Sequence, residues 1–302
     1  MKCSSRITAS EVVEKAGVSR WTVSRAFTPG KPISEDVKKR VRSAAKELGY
    51  KPNLLARSLS TKRTGLVAVV VDHFENQNVI KVLGKLTSAL QKQGLRVLLI
   101  NVTHGDNVSE FVELADQHQA DGVIFLGATL TEDFISTARE ITRIPLVVAF
   151  RDCYLDEPLV INTNDTKAGE QIADLCIKEG AKTFAYLSSP QNTSTYLKRK
   201  DAYEARLKEC GFTLDRHIEI GRYDQFLASE IFGRYLDKTP IVERVDAVFC
   251  ENDTIAFGVI DALKLKGGYA QMSVVGFDNV PFGASSAYQL TSYSPPTSRI
   301  IT

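Results

Sequence analysis

Cysteine and histidine are scarce in this chain of 302 residues, which holds five of the first and four of the second. Cys3, Cys153, Cys176, Cys210 and Cys250 are scattered, with no Cys-x-x-Cys pair and no histidine at zinc-ligand spacing. Neither a disulfide framework nor a metal site is expected, and reduced thiols fit the pattern. His73, His104, His118 and His217 fall in unrelated segments. There is no Gly-x-Gly-x-x-Gly after a strand, no phosphate-loop pattern and no Gly-x-Ser-x-Gly elbow. These absences exclude the common catalytic constellations, so no enzyme activity, catalytic residue or cofactor is expected. Long hydrophobic runs are missing too. Leu66 to Val71 is one of the longest, and it suits a strand rather than a membrane span. Charges run through the first twenty residues, so no secretory signal is expected, and the expected location is cytoplasmic, away from membranes.

What is present is a charge asymmetry. The formal net charge of +2 conceals a head, residues 1–64, with 15 Lys+Arg against 5 Asp+Glu, while the remainder carries 23 against 31. A small basic head on a larger acidic body favours a phosphate backbone as partner of the head. Within it, residues 8–28 have a helix-turn-helix pattern. Thr8 and Glu11 stand at capping-box spacing, Val12, Val13 and Ala16 form an apolar side, and Gly17 permits a turn. Ser19 is an N-cap candidate for a second helix that presents Arg20, Trp21, Ser24 and Arg25 on one stripe and turns Val23, Ala26 and Phe27 the other way. After Pro29-Gly30-Lys31-Pro32, Ser34-Glu35-Asp36 is expected to cap a third helix, with apolar positions Val37, Val41, Ala44, Ala45 and Leu48 and a stop at Gly49. Asn53 can cap a further helix of about two turns, too short to persist in water without support. Residues 60–65 read as linker.

From Leu66 the pattern changes to short β-branched runs alternating with helical stretches. Strands are expected at Leu66–Val71, Val97–Asn101, Gly122–Leu126 and Leu146–Phe150, then at Thr183–Leu187, Ala247–Cys250 and Ser273–Phe277, with a weaker one near Ile218. Helices such as Val79–Gln93, Asp165–Glu179 and Lys198–Cys210 lie between them. Two such series predict two doubly wound parallel-sheet subdomains with a ligand cleft at the carboxyl ends of the strands. The crossover is expected near residues 155–165, where Asp156-Glu157-Pro158 interrupts the pattern.

Ala16-Gly17-Val18-Ser19, Thr22-Val23-Ser24-Arg25, Val37 to Leu48-Gly49-Tyr50, Pro52-Asn53, Ala56-Arg57-Ser58-Leu59 and, late in the chain, Ser273 to Asp278 and Leu290 to Tyr293 closely resemble the lactose and galactose repressor family of bacterial transcription regulators. The resemblance implies an α/β protein: a three-helix helix-turn-helix head over 1–52, a hinge helix and linker over 53–65, and a periplasmic-binding-protein-like core over 66–302 that binds ligand and dimerises. The implied partners are a pseudo-palindromic double-stranded DNA operator, a second copy of the chain (a dimer, with a tetramer open) and a small polar, sugar-like effector.

On this resemblance the DNA-contacting residues are expected to be Thr8, Ser19, Arg20, Trp21, Thr22, Ser24, Arg25, Asn53, Ala56, Arg57 and Leu59. Arg20 and Trp21 match base-reading positions, and an arginine suits guanine O6 and N7. Thr22 and Ser24 suit phosphates. Leu59 matches a hinge leucine that wedges the minor groove, with Leu54 and Leu55 packing on the partner's hinge. For Trp21, exposure toward DNA is weighed against a core position. Effector candidates are the polar residues that follow strands: Asp72 and Asn76, Arg151, Arg199, Asn252 with Asp253, and Asp278. Carboxylates and an Arg fork converging on one cleft suit a polyhydroxylated ligand.

The chain departs from the family pattern at four places. Asn76-Gln77-Asn78-Val79 replaces an Asn-Pro-aromatic segment, Asn164-Asp165 an Asp-Asn pair, Ala202 a glycine, and Ser294-Pro295-Pro296 an Arg-Gln-Pro. The chain also stops at Thr302, short of the family pattern, so that either a partner covers the neighbouring apolar surface or the chain was shortened. The leading expectation is a ligand-responsive repressor. An activator or architectural DNA binder with a vestigial cleft is the first alternative, and a solute-binding protein the second.

Overall fold

The computed structural model describes residues 7–28, 30–53, 58, 62–71, 74, 76–102, 108–126, 144–153, 159–189, 195–266 and 272–301. Contacts divide the chain into two units, 1–64 and 65–302.

Three short helices build the first unit: α1 (Ala9–Ala16), α2 (Arg20–Ala26) and α3 (Glu35–Leu48). The Thr8 backbone N–H donates to the Glu11 carboxylate at 2.7 Å, and the Thr8 hydroxyl donates to the same carboxylate at 3.0 Å. Gly17 closes α1 in the left-handed region at φ 62°, where a Cβ would be strained. Ser19 caps α2 by accepting from the Thr22 N–H at 3.2 Å. Ser34 departs from expectation: it occupies the N-cap position of α3 with extended backbone, yet its side chain makes no capping bond. Glu35 and Asp36, in the first turn, instead place negative charge at the positive end of the helix. Val12, Ala16, Val23, Ala26, Val41, Ala44 and Ala45 form a core that Phe27 and Tyr50 flank, edge to face at 5.9 Å. Of the expected hinge, Asn53, Ser58 and residues 62–65 are described, and the Lys62 N–H donates to the Ser58 carbonyl at 2.8 Å.

In the second unit the chain makes the same topological figure twice. Its first half runs β1 (Leu66–Val71), α4 (Gln77–Lys92), β2 (Arg96–Asn101), α5 (Val108–Gln117), β3 (Gly122–Leu126), β4 (Leu146–Ala149), β5 (Asp152–Cys153) and β6 (Leu159–Ile161). The second half runs α6 (Asp165–Lys178), β7 (Phe184–Ser188), β8 (Thr195–Tyr196), α7 (Arg199–Glu209), β9 (Leu214–Glu219), α8 (Gln225–Lys238), β10 (Ala247–Cys250), α9 (Asp253–Leu265), β11 (Ser273–Phe277), β12 (Thr291–Tyr293) and α10 (Thr297–Ile301). One five-stranded sheet has the order β2-β1-β3-β4-β6 and the other β12-β11-β10-β7-β9, with every pairing parallel. In each, the first strand of the half lies between the second and the third, so the winding reverses beside it. A crevice opens at the carboxyl ends there.

The central strands carry the burial. β1 is buried from Val67 to Val71, and β7 and β10 are buried throughout, as expected for parallel strands covered on both faces. The expected strand ends agree to within a residue or two, while β5, β6, β8, β12, α5, α8, α9 and α10 are not among the elements named from the sequence. Among the described residues, no helix is long and apolar enough to cross a membrane.

Candidate functional site

Two surfaces collect the residues singled out from the sequence, one in each unit. On the head, α2 packs Val23 and Ala26 inward, which leaves Arg20, Trp21 and Ser24 exposed. Trp21 is 65% exposed, so it is a surface residue and not part of the core. The Arg25 guanidinium lies 3.4 Å from the centre of the Trp21 ring, one helical turn away, and its Nη1 donates to the Pro32 carbonyl at 3.3 Å. Arg25 therefore steadies the indole from one side and the following loop from the other. The Ser19 and Thr22 hydroxyls bond each other at 2.9 Å, and Thr8 stands exposed at the start of α1. A polar, cationic and aromatic stripe on a helix of a basic unit can meet both phosphates and base edges. Ala56, Arg57 and Leu59 lie outside the described residues, as does Asp72.

In the body, a cavity of about 90 Å³ opens where the carboxyl ends of the two sheets face each other. That is room for several water molecules or the ring of a compact ligand. Its first-half wall brings apolar Val79 and Val82 from α4, Leu126 from the end of β3, and Ala149 and Phe150 from the end of β4, beside polar Asn76, Asn78 and Arg151. The second-half wall is polar, with Arg199, Tyr223, Glu251, Asn252 and Asp278. Five of the residues expected at the effector site line the cavity: Asn76, Arg151, Arg199, Asn252 and Asp278.

Asp253 does not line the cavity. As the first residue of α9 it turns inward, where its carboxylate accepts from the Val280 N–H at 2.8 Å and from the Ser292 hydroxyl at 2.5 Å. It braces the loop after β11. Burial raises its pKa to about 6, against the opposing effect of those bonds.

Arg199 begins α7 and is buried. Its Nη2 meets the Asp165 carboxylate at 3.2 Å, its Nη1 donates to the Glu251 carbonyl at 2.9 Å, and its guanidinium stacks 3.5 Å from the Phe277 ring centre. Burial works against this charge, but Asp165 and its neighbours outweigh it and hold the pKa above the ordinary value. Close helix packing sets its position, since a Cβ on Gly169 of α6 would stand 2.4 Å from the Arg199 carbonyl oxygen.

A second polar chain spans the cavity wall. Arg151 Nη2 donates to the Tyr223 oxygen at 2.8 Å, the Tyr223 hydroxyl donates to Glu251 Oε1, and the Ser189 hydroxyl donates to the same oxygen at 2.8 Å. Burial and the Glu251 carboxylate together push the Tyr223 pKa up, so this phenol stays protonated.

The two halves are also tied across the cavity mouth. Asn78 Nδ2 donates to Asp278 Oδ1 at 2.9 Å, and Lys81 Nζ donates to the carbonyls of Asp278 at 2.8 Å and Asn279 at 3.0 Å. Burial, only partly opposed by Arg199, places the Asp278 pKa well above the carboxylate range. Two cavity residues carry backbone strain: Phe150 at φ 67° and Asp278 at φ 113°. Each directly follows the fourth strand, in chain order, of its five-stranded sheet, β4 or β11. Strain of this kind costs on the order of 1–3 kcal/mol and gathers at functional sites.

Three lining residues keep a buried polar atom without a partner among the described residues: Arg199 Nε, Asn252 Nδ2 and Asn78 Oδ1. Buried polar atoms are ordinarily satisfied, so two free donors and one free acceptor around one space mark where a ligand's atoms fit.

Sequence reasoning missed Glu251, Tyr223, Asn78 and Phe150. Glu251 directly follows β10, and Phe150 follows the observed end of β4, so the same strand-end rule reaches both. Tyr223 sits in a loop after β9, where no local signal distinguished it.

Comparison with known proteins fits this geometry. A family described as "Periplasmic binding proteins and sugar binding domain of LacI family" matches residues 65–288, and one described as "Bacterial regulatory proteins, lacI family" matches residues 8–53. The HTH-type transcriptional regulator GntR of Pseudomonas aeruginosa is 30% identical over 98% of this chain and 86% of its own length. The HTH-type transcriptional regulator RegA of Clostridium saccharobutylicum is 29% identical over 95% of this chain and 87% of its own. Among solved structures, the lac repressor dimer bound to operator and the anti-inducer ONPF superposes with a TM-score of 0.83 at 21% identity, covering 98% of this chain and 89% of that one. The complex of the transcriptional regulator CelR with cellobiose gives 0.67 at 25% identity, covering 98% and 90%.

Proposed function

The chain belongs to the LacI family of bacterial regulatory proteins, and from that premise we propose that it is a ligand-responsive repressor working as a dimer on a pseudo-palindromic operator. It is a DNA-binding transcription regulator and not an enzyme. In this reading residues 1–52 read the operator, 53–65 form hinge and linker, and 66–302 bind effector and dimerise. The crossover between subdomains falls near 155–165, in keeping with β6 ending at Ile161 and α6 beginning at Asp165. Its place of work is the cytoplasm, where operator DNA lies.

The observation that carries the proposal is a division of labour in one chain. A basic head exposes Arg20, Trp21 and Ser24 on α2, and a body holds a cavity whose buried donors and acceptor lack partners. Arg20, Trp21 and Arg25 read bases, while Thr8, Ser19, Thr22, Ser24, Asn53 and Arg57 hold phosphates and register. Ala56 and Leu59 enter the minor groove between half-sites. In the body, Asn76, Arg151, Arg199, Asn252 and Asp278 surround a small polyhydroxylated effector. The effector acts by binding one arrangement of the two halves better than the other, which shifts the population of the DNA-competent form.

A genomic fragment selected by the full chain, labelled and titrated with and without neutral and charged sugars, tests the reading. A concentration-dependent change in operator affinity with at least one sugar is expected. Operator binding that no polar metabolite alters would refute the sensor and leave the architectural alternative. Against that alternative stands the cavity itself, since a vestigial cleft has no use for buried polar atoms held open.

A further inference from the structure

We infer that Glu251 determines which ligand the cavity accepts: it demands a hydrogen-bond donor, a hydroxyl or an ammonium group, and turns away carboxylates and phosphate esters. This rests on the cavity being the effector site.

Glu251 is 4% exposed and lines the cavity at the end of β10. Its Oε1 already accepts from the Tyr223 and Ser189 hydroxyls, and its Oε2 has no hydrogen-bond partner among the described residues. An ionised carboxylate only accepts, so whatever meets Oε2 must donate. Both arginines of the wall, meanwhile, already bond to the protein. Arg199 gives Nη2 to Asp165 and Nη1 to the Glu251 carbonyl, and Arg151 gives Nη2 to Tyr223. The buried donors that an incoming anion would find without a partner among the described residues are the Arg199 Nε–H and Asn252 Nδ2, and it would stand beside the Glu251 carboxylate at short range, in an interior that screens charge poorly. The remaining atoms suit a hydroxylated ligand. Arg199 Nε and Asn252 Nδ2 need acceptors, Asn78 Oδ1 needs a donor, Glu251 Oε2 can accept one more, and a hydroxyl is both donor and acceptor. The apolar wall of Val79, Val82 and Leu126 accepts the carbon face of such a ligand. Selectivity thus comes from a repulsive element as much as from attraction.

The test is calorimetric titration of the full chain with matched sets built on glucose, galactose and mannose: the neutral hexose, the amino sugar, the hexonic acid and the terminal phosphate ester. In at least one set the neutral or amino member is expected to bind about tenfold or more tightly than the acid and the ester, and Glu251→Gln is expected to narrow that ratio about tenfold by a gain for the anions. Anions that bind the native protein as well as the neutral sugars do, or a ratio that Glu251→Gln leaves unchanged, overturn the inference while the effector reading stands. Should no member of any set bind either protein, it is the effector reading that falls. Should the Gln variant not fold, Glu251→Asp keeps the charge and withdraws it by one methylene. It is expected to weaken neutral sugars and still reject the acid, and acceptance of the acid by it is equally refuting.

Discussion

Removing the Arg199 guanidinium should destabilise the body far more than removing it together with its partner. Arg199→Met keeps much of the side-chain volume but strips the Asp165 carboxylate, whose side chain is 0% exposed, of its counter-charge. The Glu251 carbonyl loses a donor and the Phe277 ring its stacked cation at the same time. Breaking a buried ion pair from one side costs about 3–5 kcal/mol, because the remaining charge stays in a poorly solvating interior. Asp165→Asn alone should cost a similar amount for the mirror reason. The double variant Asp165→Asn with Arg199→Met leaves no orphaned charge and should come within about 1–2 kcal/mol of the native body, a coupling energy of roughly 3 kcal/mol or more. For a unit of this size the single variants should lower the Tm by about 6–20 °C. The assay is urea and thermal unfolding of the full chain with two signals. Trp21 is the single tryptophan and sits in the head, so its fluorescence follows residues 1–64, while far-UV circular dichroism is dominated by the body. The dichroism transition should move and the fluorescence transition should not. Single-variant losses below about 1 kcal/mol, or a double variant as unstable as the two losses summed, would refute the buried-pair reasoning.

Other consequences can be checked in parallel. Trp21→Ala should change base preference at one or two operator positions by about 1–3 kcal/mol and leave the dichroism transition alone; a uniform loss over a scrambled-site library is the result that counts against it. Gly169→Ala places a Cβ 2.4 Å from the Arg199 carbonyl oxygen and 2.9 Å from the Ala202 Cβ, so α6 and α7 must part. Overpacking of this kind costs about 1–3 kcal/mol, and the displaced Arg199 should weaken effector binding as well; unchanged unfolding would contradict the close approach. Asp253 supplies a pH dependence: its folded pKa, raised to about 6 by burial, exceeds its ordinary value of 3.8. Its contribution is therefore fully present below about pH 4 and lost as pH rises through about 6, on the order of 3 kcal/mol in all. Asp253→Asn should flatten that part of the stability profile, and parallel native and variant profiles would show that the carboxylate does not titrate as stated.

The elements of the head were legible because their signals are local. A capping box at Thr8 and Glu11, a left-handed glycine at 17 and an N-cap at Ser19 each act within a few residues, and periodic apolar positions followed from them. Strand positions in the body were legible for the same reason, and with them the rule that polar residues after strands face a crevice. That rule found Arg151, Asn252 and Asp278. It failed at Asp253, because a strand end says where the chain is and not which way the next side chain turns. It also gave no reason to single out Asn78, which reaches the cavity from the first turn of α4 to meet Asp278, 200 residues away.

By itself, then, the sequence determined the division into a basic helical head and a twice-wound α/β body, and with it the family. Helix periodicity, turn residues and charge segregation are written along the chain. Only the tertiary structure decided the contents of the cavity. Asn252 and Asp253 are neighbours, yet one lines the cavity and the other braces Val280 and Ser292. Tyr223 and Glu251 stand 28 residues apart, and only the winding of the second sheet makes them partners. The direction of a buried polar side chain is set by the desolvation cost of every alternative, a quantity that exists only once the surrounding elements have packed.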